Sequence, residues 1–328
     1  MIRAAVDVSP LVQTRAGTAR YLKSLLHELR ARDDVDTTTR SFGGADRLST
    51  LARDALWYPF VLGRVGDADV LHCPTYRGPL RSALPLVVTV HDLAVFRHPE
   101  AFNRWTRTYS PHLVPRVLAA ARRIIAVSDF TRRELVELLH VAEEKICVVP
   151  NGVDDRFTSD GPAADGDYVL AVGTLEPRKN LPRLVEAARR NEVELRVVGA
   201  RGWGGVELGG NGVRWLGEVG DEQLASLYRG ALCFAYPSVY EGFGIPVLEA
   251  MACGAPVVTS RGTAMEEVAD GAAVLVDPRD PADLAAGIER AAAERETLVA
   301  RGLERARAFR WDAVAEQTVS VYREALAT

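Results

Sequence analysis

Cysteine is scarce in this sequence and widely scattered. The 328 residues include four cysteines, and no two of them form a CxxC pair; they are Cys73, Cys147, Cys233 and Cys253. This spacing excludes a disulfide-rich secreted scaffold and a structural zinc site. We therefore expect reduced, mostly buried thiols and a cytoplasmic location.

Long apolar runs are also lacking. No stretch approaches the roughly 20 consecutive apolar residues that span a bilayer. The opening segment Met1–Val8 predicts a first strand rather than a signal peptide. We therefore expect no transmembrane segment. The helix predicted over 103–123 carries five arginines, so peripheral contact with the inner face of the membrane is an alternative to a solvated surface.

A strong excess of positive charge is missing as well. Residues 1–155 hold 21 Lys and Arg against 18 Asp and Glu, and residues 156–328 hold 19 against 26. Neither half has the basic composition of a nucleic-acid-binding domain. We expect no nucleic-acid partner.

What the sequence does contain is a regular alternation of short apolar strands and amphipathic helices. This alternation predicts α/β domains with parallel sheets. It is interrupted at 156–167, RFTSDGPAADGD, whose polar composition, rich in Gly and Pro, predicts a linker. We expect a first Rossmann-like domain over 1–155, a second over 168–310 and a closing helix over 311–328.

The most informative stretch is YEGFGIPVLEAMACGAP, residues 240–256. Gly242 and Gly244 permit a tight turn, and the apolar run after Pro246 predicts a short buried helix with an anion site at its N-terminus. Glu241 and Glu249, eight residues apart, flank that site. A pyrophosphate with hydroxyl groups on both sides would use all three parts, which describes a nucleotide sugar.

Three further loops follow predicted strands, where α/β folds bind ligands. Arg178-Lys179 supplies adjacent cations suited to a diphosphate. Gly17-Thr18 opens a helix after the first strand, and His91 follows a buried strand, where an imidazole can position a hydroxyl. Each of these, taken singly, has a plain structural alternative. His72 is interpreted as a structural histidine.

Together, these segments resemble the retaining glycosyltransferases of family 4, the glycosyl transferases group 1, and among them the mannosyltransferases. The resemblance covers nearly the whole chain and implies the GT-B fold. In that fold two Rossmann-like domains face each other, the first binds the acceptor, the second binds the donor, and a C-terminal helix crosses back to the first. Besides the E-x7-E stretch, the motifs in family order are HCPTYRGPL, VTVHDLAVFRHPE, IIAVSDFTRREL, VVPNGVD, VGTLEPRKN, LGEV-DEQL-LY, LVDPRDPADLA and FRWDAVAEQTVSVYREAL.

The resemblance also implies a role for individual residues. Glu241 would contact the transferred sugar, and Glu249 would bind the ribose. Arg178 and Lys179 would hold the diphosphate, and His91 would lie between donor and acceptor. The other residues implied at the donor site are Gly17, Thr18, Leu216, Val219, Gly242, Phe243, Gly244, Val247 and Leu248.

The implied reaction moves a hexose from a nucleotide-diphosphate sugar to a hydroxyl of a glycan, lipid-linked or small-molecule acceptor. GDP-mannose is the first expectation for the donor, and UDP- or dTDP-sugars are alternatives, as are a nucleotide-sugar epimerase and a non-catalytic binding subunit. No DxD pair stands in a loop suited to a diphosphate-bound metal, since Asp67-Ala68-Asp69 precedes a strand. We expect no metal and no cofactor, because the two cations and the helix N-terminus take the place of the ion.

Overall fold

The computed structural model describes residues 1–13, 17–202, 205, 209 and 211–327. The chain forms two compact units. The first joins Met1–Gly152 to the segment from Arg310 onward, and the second is Val153–Phe309. Each unit contains a six-stranded parallel sheet with helices, so the predicted α/β architecture is confirmed.

The strands of the first unit are β1 (Ile2–Asp7), β2 (Val35–Arg40), β3 (Val70–Cys73), β4 (Leu86–Val90), β5 (Arg123–Ala126) and β6 (Ile146–Val148). They lie in the order β2-β1-β3-β4-β5-β6. The inner strands are predictable because strands buried on both faces are almost continuously apolar. The sequence does not predict β2, since VDTTTR is mostly polar; β2 lies at the sheet edge and pairs with β1 from Ile2↔Val35 to Asp7↔Arg40.

One helical region of the first unit is also absent from the sequence pattern. Residues 47–64 form a short α-helix, a π-helix and a 3-10 turn, and Arg53 and Asp54 are buried where the π-helix begins. The helical elements are α1 (Pro10–Gln13), α2 (Gly17–Arg30), α3 (Arg47–Ala52), the π-helix (Arg53–Val61), 3-10 turns (Leu62–Arg64, Pro99–Ala101, Glu143–Lys145), α4 (Ala94–Arg97), α5 (Arg104–Ala120) and α6 (Asp129–Leu139).

The second unit repeats the strand–helix alternation, as predicted. Its strands are β7 (Tyr168–Val172), β8 (Glu194–Val198), β9 (Val213–Gly217), β10 (Cys233–Tyr236), β11 (Val257–Ser260) and β12 (Val274–Val276), in the order β12-β11-β10-β7-β8-β9. Its helical elements are a 3-10 turn (Pro177–Lys179), α7 (Leu181–Arg190), α8 (Asp221–Gly230), α9 (Ile245–Ala252), α10 (Ala264–Ala269), α11 (Pro281–Ala293) and α12 (Arg295–Arg307).

The closing helix α13 (Trp311–Ala327) belongs to the first unit, as the family resemblance implies. Its Val319 and Tyr322 share one apolar core with Leu22 and Leu25 of α2. The Tyr322 hydroxyl also lies 2.8 Å from Nδ1 of His72, which is fully buried. His72 is therefore a structural residue that joins α13 to the sheet.

The segment 156–167, predicted as a linker, lies within the second unit. It packs on α8: the amide of Ala164 donates to the Ser226 carbonyl at 2.9 Å, and Arg229 donates to the carbonyls of Thr158 and Pro162. The two units instead meet in sequence at 152/153 and 309/310. A polar, Gly-rich composition did not distinguish a packed surface segment from a linker, because both expose most of their side chains.

Among the described residues, none of the helices combines the length and the hydropathy that crossing a bilayer requires.

Candidate functional site

The candidate site lies where β7 and β10 end, because these strands are neighbours in the sheet of the second unit. Residues 173–180 follow β7, and residues 237–244 follow β10. The amide of Val239 donates to the Arg178 carbonyl at 2.9 Å, and Asn180 Nδ2 donates to the Pro237 carbonyl at 3.2 Å. These bonds hold two loops that are distant in sequence against each other.

Lys179 and Glu241 form a buried ion pair between these loops. Lys179 Nζ donates to Glu241 Oε1 at 2.6 Å, and both side chains are 11% exposed. Lys179 Nζ also donates to the Tyr236 hydroxyl at 2.6 Å. The ammonium is thus fixed at one point by a carboxylate from one loop and a phenol from the end of β10.

Arg178 lies beside the same carboxylate. Its Nη2 donates to Glu176 Oε1 at 2.8 Å, and its Nη1 is 3.5 Å from Glu241 Oε2. Nη1 also donates to the Tyr240 carbonyl at 3.3 Å. Two cations and two carboxylates therefore share one small region, with the guanidinium held in a fixed plane.

The electrostatics of the cluster keep its groups charged. Burial favours the neutral acid, but Lys179 and Arg178 outweigh it and lower the pKa of Glu241 to about 2. Burial likewise disfavours the charged form of Lys179, yet the Glu241 carboxylate holds its pKa above the ordinary value. Burial and the same carboxylate raise the pKa of Tyr236 to about 12, so its hydroxyl stays protonated and donates to Glu241 Oε1 at 3.3 Å.

The turn before α9 requires glycine at position 244. Gly244 has φ of 102°, a left-handed conformation, and a Cβ there would lie 2.8 Å from Met265 Cγ. Phe243 packs edge-on against Phe309 with ring centroids 5.9 Å apart. The predicted tight turn and short buried helix are both present.

The helix N-terminus differs from the prediction in one respect. The amide of Val247, predicted to hold a diphosphate together with that of Leu248, donates to the Gly244 carbonyl at 2.9 Å. The left-handed turn at Gly244 brings its carbonyl over the first helical turn. Val247 is therefore already hydrogen-bonded, and an anion at this end of α9 has to share that amide with the turn.

We expect Gly244→Ala to destabilise the second unit by about 1–3 kcal/mol, because it adds a side chain to a left-handed residue and against Met265. Gly271→Ala is the matched control, since Gly271 has φ of 79° but open space around a Cβ. Both variants place a side chain on a left-handed residue, but only Gly244→Ala also brings a Cβ against Met265. Urea unfolding of both therefore separates the cost of the backbone strain from the cost of the steric overlap. Equal losses of unfolding free energy would show that the contact with Met265 costs nothing.

Glu249 lies apart from the ion pair, within α9. It is 2% exposed, and the Tyr228 hydroxyl of α8 donates to its Oε2 at 3.2 Å. The structure therefore gives Glu249 a hydrogen-bonded position between two helices, whereas Glu241 is joined to both cations.

Leu216 and Val219 lie at and just beyond the end of β9, and both are half-buried. Gly217 between them has φ of 71°, and its carbonyl accepts from the Gly199 amide at 2.8 Å. Leu216 and Val219 therefore lie at the carboxyl edge of the sheet, where the ion-pair cluster also lies, because all the strands are parallel.

Three predicted residues, Gly17, Thr18 and His91, belong to the first unit. Gly17 and Thr18 begin α2, and nothing lies within 4 Å of a Cβ at Gly17; the preceding Ala16 lies outside the described residues. His91 follows β4, and its ring contacts Tyr21 of α2 edge-on at 4.6 Å.

The tautomer of His91 follows from its hydrogen bond. Nε2 lies 2.9 Å from the Pro74 carbonyl, which can only accept, so Nε2 carries the proton. Burial lowers the pKa of His91 below its usual value, although the Pro74 carbonyl and Asp92 oppose this. The neutral ring thus keeps an accepting lone pair on Nδ1.

Sequence reasoning missed the partners of the two cations. Tyr236, the last residue of β10, binds Lys179, and Glu176 binds Arg178. The sequence could have indicated the partner of Arg178, because Glu176 stands two residues before it in GTLEPRKN. It gave no indication that Tyr236 binds Lys179, because an aromatic residue at a strand end usually belongs to the core.

Within the described part of the chain, no group of three or more His, Cys, Asp or Glu side chains is placed to hold a metal ion.

Comparisons with known proteins cover both units. Residues 15–157 match the family described as Glycosyltransferase Family 4, and residues 154–307 match Glycosyl transferases group 1. O-antigen chain mannosyltransferase B of Escherichia coli is 34% identical over an alignment of 282 positions, which covers 77% of this chain and 74% of that protein. D-inositol 3-phosphate glycosyltransferase of Geodermatophilus obscurus is 35% identical over an alignment of 368 positions, which covers 97% of this chain and 78% of that protein.

Among solved structures, the HepE protein of Anabaena in complex with UDP and glucose superposes with a TM-score of 0.73. The similarity covers 98% of this chain and 99% of that one at 19% identity. At this level of identity the comparison shows a shared fold.

Proposed function

This chain belongs to glycosyltransferase family 4, and we propose that it moves a hexose, with retention of configuration, from a nucleotide-diphosphate sugar to a hydroxyl acceptor. It is a glycosyltransferase with the GT-B fold, so the predicted enzyme class and fold class are confirmed. The observation that carries the proposal is the buried cluster of Lys179, Arg178 and Glu241 at the carboxyl edge of the second sheet.

GDP-mannose is the donor that we propose first. Its support is the similarity to a mannosyltransferase that is 34% identical over most of this chain. A UDP- or dTDP-sugar is the alternative, and the acceptor is a glycan, a lipid-linked glycan or a small molecule. The family membership favours transfer over epimerisation or simple binding.

The charges of the cluster suit cleavage of a sugar–phosphate bond. As the bond from the anomeric carbon to the phosphate oxygen breaks, positive charge develops on the sugar and negative charge on the diphosphate. Lys179 and Arg178 are held in place and charged before the reaction, so they can stabilise the negative charge that develops on the leaving diphosphate. The acceptor oxygen then bonds to the anomeric carbon on the same face, and its proton passes to a diphosphate oxygen.

We propose that this donor binding needs no divalent metal and no cofactor, since the two cations supply the positive charge. Glu241 would accept hydrogen bonds from the hydroxyls of the transferred sugar, and Glu249 from the ribose. In the first unit, Nδ1 of neutral His91 can accept a hydrogen bond from a hydroxyl and so position it, rather than act as a strong base.

A cytoplasmic location is part of the proposal. All four cysteines are free thiols, and Cys73, Cys233 and Cys253 are buried, which suits a reducing compartment. Attachment to the inner face of the membrane is the alternative.

A thermal-unfolding panel of GDP, UDP, dTDP and ADP in EDTA, each with its sugar, tests the proposal. A ligand at about 100 times its Kd stabilises the folded state by about 2.7 kcal/mol, or roughly 5–10 °C for a domain of this size. We expect a shift for guanine nucleotides, lost in Lys179→Met and retained in Arg190→Ala, an exposed cation of the same unit.

Each other result has a definite meaning. A shift for a different base would name another donor. A shift that appears only with Mg²⁺ would contradict metal-free binding, and a panel that is flat under both conditions would contradict the donor site.

A further inference from the structure

A concave surface lies in the first unit, beside α2. It encloses about 390 Å³ between α2 and the ends of β1 and β2. Val8, Leu11 and Leu26 form its apolar part, and Thr39 of β2 supplies a hydroxyl. The surface therefore combines an apolar floor with a polar side and lies at the edge of the sheet.

Three basic side chains line the same cavity. Lys23, His27 and Arg30 stand at i, i+4 and i+7 of α2, on its exposed face. None of them forms an ion pair with a described residue. Arg30 lies in the last turn of α2, where the helix dipole favours a cation.

Among the described residues that line the cavity there is no carboxylate. Asp34, at the start of β2, is paired with Arg32 and Arg323. Asp36 points to the opposite face of β2 from Thr39, because side chains alternate along a strand. The described lining therefore places the charges of Lys23 and Arg30, with the imidazole of His27 between them, beside an apolar floor.

We propose that this cavity binds a phosphate ester that carries a short apolar chain. The row spans about 10 Å along the helix axis, at 1.5 Å per residue, so the phosphate and its ester oxygens can contact more than one of these three side chains. The chain would lie on Val8, Leu11 and Leu26. A soluble alkyl phosphate and a phospholipid headgroup share this chemistry.

This site is distinct from the donor cluster and from His91. The donor cluster belongs to the second unit, and His91 contacts Tyr21, which is buried on the inner side of α2. The inference therefore goes beyond the proposed transfer and does not depend on it.

Calorimetric titration of the full chain with hexyl phosphate, inorganic phosphate and hexanol tests the proposal. Hexyl phosphate should bind saturably and at least about tenfold more tightly than either of the others, since it alone uses both parts of the cavity. The variant Lys23→Gln/His27→Gln/Arg30→Gln should bind it at least about tenfold more weakly. Arg104→Gln/Arg107→Gln/Arg116→Gln, which removes three exposed cations of α5, should bind it unchanged.

The proposal is overturned if hexyl phosphate does not bind, if both triple variants bind it equally, or if inorganic phosphate binds as tightly. Thermal unfolding of both variants checks that they remain folded. Co-sedimentation with phosphatidylglycerol vesicles then identifies the source. Loss of sedimentation in the α2 variant alone assigns a lipid headgroup, and equal sedimentation of both variants assigns a free phosphate ester.

Discussion

The Glu241→Ala variant is expected to lose sugar transfer while it binds a nucleoside diphosphate severalfold more tightly than the unaltered protein. Glu241 neutralises Lys179 at 2.6 Å and Arg178 at 3.5 Å. A diphosphate that uses these cations competes with the carboxylate, so its removal frees both of them. The transferred sugar loses its own contact, and we expect turnover to fall by at least about a hundredfold.

Two readouts separate these effects. Calorimetry with GDP measures the diphosphate site, and release of GDP from GDP-mannose measures cleavage of the donor without requiring a known acceptor. Near-normal release would remove Glu241 from the reaction. Weaker binding of GDP would show that the carboxylate does not compete with the diphosphate.

The same substitution is expected to destabilise the second unit. It leaves Lys179, only 11% exposed, without its carboxylate, and loss of one partner of a buried pair costs about 3 kcal/mol. The double variant Lys179→Met/Glu241→Ala should recover most of this loss. Glu186→Ala is the surface control, since that side chain is 51% exposed in its pair with Arg190, and we expect a change below about 0.5 kcal/mol.

The Lys179–Glu241 ion pair also makes the stability of the second unit dependent on pH in the acid range. The pKa of Glu241 is lowered to about 2 in the folded state, below its ordinary value in an unfolded chain. Its contribution is therefore present above about pH 4.5 and is lost as the pH falls towards 2.

The free energy of unfolding of the first unit should fall by about 2 kcal/mol as the pH is lowered from 7 to 5, because of His72. Burial, with a smaller effect of His91, lowers the pKa of His72 to about 3. The unfolded chain takes up this proton near pH 6.5 while the folded unit does not. The stabilisation is therefore complete above pH 6.5 and declines as the pH falls towards 3.

Asp7, at the end of β1, should act in the opposite direction. Burial raises its pKa to about 6, although Ser9 donates to its Oδ1 from both amide and hydroxyl. A raised carboxyl pKa means that the folded unit binds a proton more readily than the unfolded chain. Stability linked to Asp7 therefore rises as the pH falls, by about 1 kcal/mol between pH 7 and pH 5.

The variants His72→Gln and Asp7→Asn isolate the two titrations. Urea unfolding at pH 7 and pH 5 should show that His72→Gln makes the unit less acid-sensitive than the unaltered protein. Asp7→Asn should make it more acid-sensitive. Identical pH dependence in all three proteins would show that neither side chain changes its protonation between folded and unfolded states.

Regular patterning allowed the sequence to determine most of the architecture. The inner strands are apolar on both faces, and the helices between them carry apolar residues at helical spacing, so the two parallel sheets could be predicted. The return of helix α13 to the first unit was implied by the family resemblance. The turn at Gly244 was predictable for a similar reason, because a Gly-rich turn before Pro246 admits few conformations.

Only the tertiary structure decided which strands pair and which side chains are in contact. The polar strand β2 exists because its backbone pairs with β1, and 156–167 is packed because Arg229 of α8 binds its carbonyls. The sequence identified Lys179 and Glu241 as separate candidates, 62 residues apart, but their union depends on β7 and β10 being neighbours. Hydrophobic periodicity reports which face of an element is buried, whereas strand order and side-chain pairing are set by the whole chain.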